Sequence, residues 1–304
     1  MRRLACVSLA RAGVLPASAR DAAMITLRPL LASLVLLTGL FAAPAPARAE
    51  TFNTCAGFID TVPATITTQG TWCLRHDLTT AITSGNAITI ATNNVTIDCN
   101  DFKLGGLQAG NSSQANGIVA SGHLNSTVRH CNVRGYYYGI YADGSGNLVE
   151  DNRLDQNLYI AIRILGENNR VRRNAVFDTG GSPANPFTYG IVASADVIEN
   201  TVSGVFAIGA DTSPTGILLS GAGMVASGNH VRGLAVSGTG SAAGINAYNI
   251  GIRVEGNHVS AATTTNGFGI RGNGATDTFC GGNTIAKFST PIGTCQDTGG
   301  NASN

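Results

Sequence analysis

Charged side chains are scarce in this sequence, since only 12% of its 304 residues are Asp, Glu, Lys or Arg. Lysine occurs only at Lys103 and Lys287, and Trp72 is the single tryptophan. Without residues 1–49, which carry six arginines and one aspartate, 13 basic and 17 acidic residues remain and the formal charge is −4. A weakly acidic chain lacks the basic surface that nucleic acid requires, so we expect no nucleic-acid partner.

Long hydrophobic runs are also missing. The longest, at 30–43, has 14 residues, which is short for a transmembrane helix. It follows Arg28 and precedes a small-residue segment at 47–49, which is the order of a secretory signal and its cleavage site. We interpret residues 1–49 as a signal peptide, with Met24 as an alternative start, and expect a secreted or periplasmic protein with no stable membrane insertion after cleavage. An uncleaved N-terminal membrane anchor is the alternative.

Two columns of residues recur every 21 to 29 positions. One is asparagine, with an apolar residue or Cys280 three positions before it and an apolar residue two positions after it: Asn152, Asn174, Asn200, Asn229, Asn257 and Asn283. The other is isoleucine, mostly preceded by glycine: Ile118, Ile140, Ile162, Ile191, Ile217, Ile245, Ile270 and Ile292. Repeats of this length predict a stacked solenoid in one elongated domain. Each asparagine breaks the strand alternation at a bend, so we predict a structural ladder of amides hydrogen-bonded between rungs.

Six cysteines remain beyond residue 49, an even number that predicts disulfides in an exported chain. No Cys-x-x-Cys pair occurs, which disfavours zinc ligation. Cys131 takes the repeat position that asparagine holds later, and Cys99 is expected one rung below it. Neighbouring rungs of a parallel stack are about 4.8 Å apart, a separation that a disulfide accepts. We predict Cys99–Cys131 and, by proximity in sequence, Cys55–Cys73 and Cys280–Cys295.

The chain divides into segments around this repeat. We assign residues 50–90 to an N-terminal cap with the first strands, 91–295 to the repeats and 296–304 to a disordered tail. Three longer connections occur at one point of the repeat, at 177–189, 203–215 and 232–243. Because they share one corner, we expect them to form a wall beside the outward side of the Gly-Ile strands.

The opening segments GTWCLRHDL and ITIATNNVTIDCNDFKLGG, followed by the Asn-x-Val and Gly-Ile units, resemble the right-handed parallel β-helix proteins of the pectin-lyase-like superfamily. The resemblance covers roughly residues 70–295. It implies an all-β, single-domain right-handed parallel β-helix (a solenoid) with an N-terminal cap, and it implies export and a polysaccharide as substrate or ligand. Fold alone does not establish function.

Catalytic motifs of these families are absent. Polygalacturonases show NTD, DD and GHG runs, whereas this chain has only Ser-Gly-His at 121–123, and the DPHD run of alginate epimerases does not occur. No run of aspartates matches the calcium site of pectate lyases residue by residue. We therefore transfer no catalytic residue from any family.

Candidate functional residues lie on the outward side of the Gly-Ile strands. Alternation places Tyr141 and Asp143 outward beneath Arg163, with tyrosines 136–138 and Tyr159 in the flanking turns. Sugars stack on aromatic rings and bind planar charged groups, so we predict a carbohydrate-binding face. Its predicted substrate-binding residues are Tyr141, Tyr159, Asn246, Tyr248 and Arg271.

A lyase reaction on this face would use Arg163 as the base. Asp143, or a calcium ion acting as cofactor, would neutralise the charge of the uronate. Asp143 and Arg163 are therefore the candidate catalytic residues.

Two other clusters have simpler interpretations. Charges alternate in sign between successive rungs at 129–130, 150–151 and 172–173, which favours a surface ladder of ion pairs. The alternative is an acid–base cluster in which Glu150 and Asp151, flanked by Arg153 and Arg172, bind a uronate or abstract a proton.

His230 and His258 occupy equivalent positions in two Gly-Asn-His-Val units and should stack about one rung apart. With only Glu255 nearby as a third ligand we favour a bare surface stack and assign no metal site, and a metal shared by the two imidazoles is the alternative.

The leading hypothesis is an exported β-helix protein, monomeric, that binds or processes a polysaccharide. The alternative is a non-catalytic structural or adhesive solenoid at the cell surface or in the periplasm.

Overall fold

The computed structural model describes residues 54–274 and 277–304, so the predicted signal peptide lies outside the described residues. These residues form 27 strands and one short 3-10 helix at Leu107–Ala109. The strands are β1 Gly57–Ile59, β2 Ala64–Ile66, β3 Gly70–Leu74, β4 Leu78–Thr79, β5 Asn86–Ile90, β6 Val95–Asp98, β7 Lys103–Gly105, β8 Asn116–Ser121, β9 Thr127–Arg129, β10 Asn132–Arg134, β11 Tyr138–Asp143, β12 Leu148–Glu150, β13 Arg153–Asp155, β14 Ile160–Arg172, β15 Ala175–Thr179, β16 Phe187–Ile198, β17 Thr201–Val205, β18 Ser213–Leu219, β19 Val225–Ser227, β20 His230–Arg232, β21 Ala242–Ala247, β22 Ile252–Glu255, β23 His258–Arg271, β24 Thr278–Gly281, β25 Thr284–Gly293, β26 Gln296–Gly299 and β27 Ala302–Ser303.

Successive turns of the chain stack in parallel and build three faces. The Gly-Ile face contains β2, β5, β8, β11, the starts of β14 and β16, β18, β21 and the ends of β23 and β25. The second face contains the strands that precede the repeat position of the asparagine column, from β1 and β3 to β26. The third face contains the strands that follow this position, from β4 to β27. The fold is a right-handed parallel β-helix, as the repeat and the resemblance predicted.

The core is the inward column of the Gly-Ile face together with apolar residues of the other two faces. The isoleucines of the repeat column, from Ile118 to Ile270, are at most 1% exposed. Strand alternation explains the pattern in β11, where Ile140 and Ala142 are buried while Tyr141 and Asp143 point outward and are half-buried. Because register is fixed by this burial, the outward residues of successive rungs also fall into columns.

The predicted asparagine ladder is confirmed. Asn174 Oδ1 accepts the backbone N–H of Asn152 at 3.1 Å and its side-chain amide at 2.9 Å. The same pair of bonds joins each later neighbour, and the ladder asparagines from Asn152 to Asn283 are at most 2% exposed. Below the ladder, Asn152 Oδ1 accepts the N–H of Cys131 at 3.0 Å. These hydrogen bonds join the bend of each rung to the bend of the next rung.

All three predicted disulfides are present. The Cα atoms are 4.7 Å apart in Cys99–Cys131, which links two neighbouring rungs as the repeat register required. The pairs Cys55–Cys73 and Cys280–Cys295 have Cα separations of 5.8 and 6.0 Å. They cross-link the first and last described turns of the solenoid.

The prediction of a disordered tail at 296–304 is wrong. β26 pairs with β24, and β27 pairs with β25, so this segment adds a further rung. Asn301 continues the ladder, because its Oδ1 accepts the N–H and the amide of Asn283, both at 3.0 Å. The surrounding sequence is polar and glycine-rich, so no apolar column marked it as part of the repeat.

The longer connections stack at the corner between the third face and the Gly-Ile face. Phe206 forms a parallel bridge with Ala235, and Thr212 forms an antiparallel bridge with Ser237. Asp211 also accepts hydrogen bonds from the backbone and hydroxyl of Thr239 at 2.7 and 2.8 Å. The inserts therefore share one corner. In the described part of the chain, no helix is long and apolar enough to cross a membrane.

Asn200→Ala should destabilise the protein strongly. Its amide donates to Val171 O, Ile198 O and Asn229 Oδ1, and its Oδ1 accepts two bonds from Asn174. Leaving these buried groups unpaired should lower the free energy of unfolding by about 3 kcal/mol. Chemical denaturation measures this value.

Asn111→Ala is the matched control, because Asn111 is exposed in a connection outside the ladder. It should change the free energy of unfolding by less than about 0.5 kcal/mol. Equal destabilisation by both substitutions would contradict the structural role of the ladder.

Candidate functional site

Five tyrosines gather on and beside the Gly-Ile face. We call Tyr137, Tyr138, Tyr141, Tyr159 and Tyr189 the aromatic cluster. The ring centroids of contacting pairs lie 4.9 to 6.1 Å apart, and Tyr159 links the rungs by touching Tyr137, Tyr138 and Tyr189. All five are half-buried, so each offers part of its ring to solvent. Aromatic faces held in this way form a platform on which a sugar ring can stack.

Arg163 lies over this platform. It is the register partner of Tyr141, and its guanidinium carbon is 5.1 Å from the Tyr141 ring centroid and 5.6 Å from that of Tyr138. Across the described residues it has no carboxylate partner within ion-pair distance. Its charge is therefore stabilised by ring faces and solvent, and its N–H groups stay available for a ligand.

The proposed pair Asp143 and Arg163 lies on one face but is not in contact. Asp143 is the register partner of Leu165, not of Arg163, and it accepts a hydrogen bond from the Tyr141 hydroxyl at 3.4 Å. The carboxylate thus lies one rung and one outward position away from the guanidinium. The structure leaves their role as an acid–base pair a prediction.

Burial raises the pKa of several cluster tyrosines. It raises the pKa of Tyr159 to about 12, and the neighbouring Tyr189, Tyr138 and Tyr137 act in the same direction. The pKa values of Tyr138 and Tyr189 are also raised, mainly by burial. For Tyr141 burial is the main cause, and the Asp143 carboxylate adds to it. These phenols remain protonated at neutral pH and keep their hydroxyls as hydrogen-bond donors.

A cleft of about 390 Å³ continues the face toward the C-terminal rungs. The predicted residues Asn246, Tyr248 and Arg271 all line it, together with Tyr189 of the aromatic cluster. Tyr248 is 68% exposed, and Arg271 lies over the Phe268 ring with 5.3 Å between the guanidinium carbon and the ring centroid. Tyr189 belongs to both features, so cluster and cleft form one continuous surface.

The loop wall touches the aromatic cluster directly. Asn185, in the connection between β15 and β16, donates its side-chain amide to the Tyr137 hydroxyl at 2.7 Å. Phe187, at the end of the same connection, is 51% exposed and lines the cleft. The wall therefore borders the candidate site, as the shared corner of the inserts suggested.

Tyr189 and Phe268 were not identified from the sequence, and Tyr138 was identified only as a turn residue. Tyr138 and Tyr189 both stand immediately before a Gly-Ile pair, so they occupy one repeat position. Phe268 has the same place before Gly269-Ile270. This shared position connects the three aromatic residues in the sequence, although other rungs carry Asn116, Ile160 or Thr215 there.

The alternating charges of the second face form the predicted ion pairs. Arg172 contacts Glu150 at 2.7 Å, and Arg173 contacts Asp151 at 2.7 Å and Glu150 at 3.1 Å. The hydrogen bond from Arg173 is the main cause that lowers the pKa of Asp151. Two rungs earlier, Arg129 contacts Asp98 at 2.8 Å. These carboxylates are neutralised, which favours a register-keeping surface over an acid–base site.

Within 54–274 and 277–304, no group of three or more His, Cys, Asp or Glu side chains is placed to hold a metal ion. His230 and His258 stack as predicted, with ring centroids 5.5 Å apart.

No protein-family model and no curated protein matches this chain. Solved structures with a similar fold include the Dettilon tailspike protein gp208, with 19% identity over 77% of this chain and 54% of that chain and a TM-score of 0.46. The A-module of Azotobacter vinelandii mannuronan C-5 epimerase AlgE4 has 14% identity, coverages of 78% and 83%, and a TM-score of 0.45. The tailspike protein of E. coli bacteriophage HK620, solved with a pentasaccharide, has 12% identity, coverages of 91% and 62%, and a TM-score of 0.43. This chain thus spans about half of the Dettilon protein, and the likeness concerns the fold.

Tyr159→Phe should remove one phenol from the late part of the titration, which several buried and half-buried tyrosines share. Wild-type protein should show a phenolate step near pH 12 in an ultraviolet absorbance titration. Between pH 10 and 12 the folded state keeps a proton that the unfolded state has lost, so stability falls as the pH rises through this window. The fall should be shallower in the variant. Tyr136, Tyr138, Tyr141 and Tyr189 also have raised pKa values, so the late step becomes smaller in Tyr159→Phe and does not vanish. Tyr248→Phe is the control, and a late step of unchanged amplitude in Tyr159→Phe would contradict the assignment.

Proposed function

We propose that this protein binds a polysaccharide along the Gly-Ile face, from the aromatic cluster to the cleft. The observation that carries the proposal is the cluster itself, with half-buried tyrosine rings on neighbouring rungs and Arg163 lying over two of them. Ring faces provide stacking surfaces for sugars, and neutral hydroxyls and the guanidinium provide hydrogen-bond donors.

The length of the surface suits a polymer. Arg163 and Arg271 lie in one outward column, joined through Val192, Leu218 and Asn246. Four rung spacings of about 4.8 Å separate the two arginines by about 19 Å. A ligand that contacts both must therefore be an extended chain of several sugar units, running along the axis of the solenoid.

An acidic polysaccharide fits the charges best. Arg163 and Arg271 rest on aromatic rings without a carboxylate partner among the described residues, whereas Arg172 and Arg173 of the second face are ion-paired. A guanidinium that lacks an internal partner can bind the carboxylate of a uronate with two parallel hydrogen bonds. We infer that the two arginines select acidic sugars and the tyrosines bind the sugar rings.

The location of the protein is proposed on the same basis. Three disulfides are compatible with an extracellular or periplasmic protein, because such compartments are oxidising. Together with the signal-like leader, they support secretion into an environment where polysaccharides occur.

Removing the charge of Arg163 should weaken binding of acidic chains selectively. In affinity electrophoresis on gels containing pectate or alginate, Arg163→Gln should bind about tenfold less tightly, a loss of about 1.4 kcal/mol. Tyr138→Ala should weaken binding to neutral and acidic polysaccharides alike, because it removes a stacking surface.

Arg232→Gln is the matched control for this experiment. Arg232 is exposed on the third face and has no carboxylate partner within the described chain, so its replacement removes the same charge at a distance from the candidate site. Binding that falls equally in Arg163→Gln and Arg232→Gln would show nonspecific charge attraction. No retardation of the wild-type protein on any polysaccharide would overturn the proposal.

A uronan lyase reaction is the catalytic form of the proposal, with Arg163 as base. The charge of the sugar carboxylate would be offset either by a hydrogen bond from Asp143 in its protonated form or by a calcium ion. Lyase cleavage leaves an unsaturated product that absorbs ultraviolet light. Incubation with uronans, with and without calcium, should produce this absorbance in wild type and much less in Asp143→Ala. Retained binding without product would favour the second candidate, a non-catalytic adhesive solenoid, which the neutralised charges of the second face support.

A further inference from the structure

Two histidines lie side by side on the third face, apart from the Gly-Ile face. His230 begins β20 and His258 begins β23, and the two are direct register partners in neighbouring rungs. Their ring centroids are 5.5 Å apart, and both residues are exposed. Each stands between a buried ladder asparagine and a buried valine, which fixes its backbone firmly. The ladder therefore holds two imidazoles at the spacing of one rung.

Both imidazoles are free to bind a ligand. Throughout 54–274 and 277–304, neither ring forms a hydrogen bond or an ion pair, whereas His76 and His130 do form such contacts. The flanking rungs place Thr201 and Thr284 at the same position. The pair thus lies between small hydroxyl side chains that neither cover it nor bring a positive charge.

The bend beside the pair is open. In the preceding rungs this bend carries Arg173 and Glu199, in left-handed backbone conformation with φ of 52° and 56°. Gly228 and Gly256 take the equivalent positions with φ of 64° and 63°. A Cβ atom at Gly256 would meet no other atom within 4 Å, whereas one at Gly228 would contact Glu199 Cγ at 3.5 Å, so the corner is unfilled beside Gly256. An ion and its bound water can approach the imidazoles from this side.

We propose that His230 and His258 form a binding site for a divalent transition-metal ion, with copper(II) bound more tightly than zinc or nickel. Imidazole nitrogen suits all three ions, and copper(II) forms the most stable complexes of this series. Metal–nitrogen bonds are about 2.0 Å long, so one ion can join two imidazoles whose backbones are about 4.8 Å apart. Water completes the coordination, because the protein supplies two ligands here. The site is independent of the polysaccharide proposal.

Copper binding tests the site directly. The chain, purified without a histidine tag and stripped with a chelator, should bind one copper(II) ion in a calorimetric titration, and electron paramagnetic resonance should show nitrogen ligands. His230→Thr and His258→Thr should each weaken binding by about tenfold or more, which is about 1.4 kcal/mol. Threonine is chosen because the flanking rungs carry it at this position, so the fold should be retained.

His76→Thr serves as control, since His76 lies near the opposite end of the described chain and outside this pair. It should leave the affinity unchanged, and the circular dichroism spectra of all variants should match wild type. Copper affinity that persists in both His230→Thr and His258→Thr, or the absence of nitrogen-ligated copper in wild type, would overturn the proposal.

Discussion

The rest of the structure depends on one hydrogen-bonding arrangement, in which the side chain of a buried asparagine binds the main chain and the amide of the preceding rung. Asn174, for example, accepts two hydrogen bonds from Asn152 and donates two to Asn200. A buried amide without these partners would cost roughly 1–3 kcal/mol, so a slip in register is strongly disfavoured. The bend therefore recurs at the same place in every turn from Cys131 to Asn301.

Fixed register turns sequence positions into surface columns, and the three faces use these columns differently. The second face alternates charges and neutralises them, as in the contact of Arg172 with Glu150. The Gly-Ile face collects aromatic rings and two arginines that lack carboxylate partners in the described chain. The third face brings His230 next to His258. The solenoid thus presents three surfaces of different chemistry, each aligned by the same ladder.

The repeat made much of this predictable. The ladder from Asn152 to Asn283 and the three disulfides follow from sequence spacing, because a rung distance is also a distance that amide bonds and disulfides accept. Asn301 escaped prediction because polar and glycine residues surround it, so hydrophobic periodicity gave no signal there. Tyr189 was not predicted as a site residue, because other rungs carry residues as different as Asn116, Ile160 and Thr215 at its repeat position.

By itself the sequence determined the solenoid, its register and the order of outward residues along each column, since all three depend on local periodicity and burial. Only the tertiary structure decided which outward groups meet. It placed Arg163 over Tyr138 and Tyr141 but left Asp143 bonded to Tyr141, and it joined Tyr189 to the cleft containing Asn246 and Arg271. The reason is that contacts between long outward side chains depend on the twist of the sheet, on side-chain rotamers and on the path of the insert loops. The repeat pattern of the sequence specifies none of these.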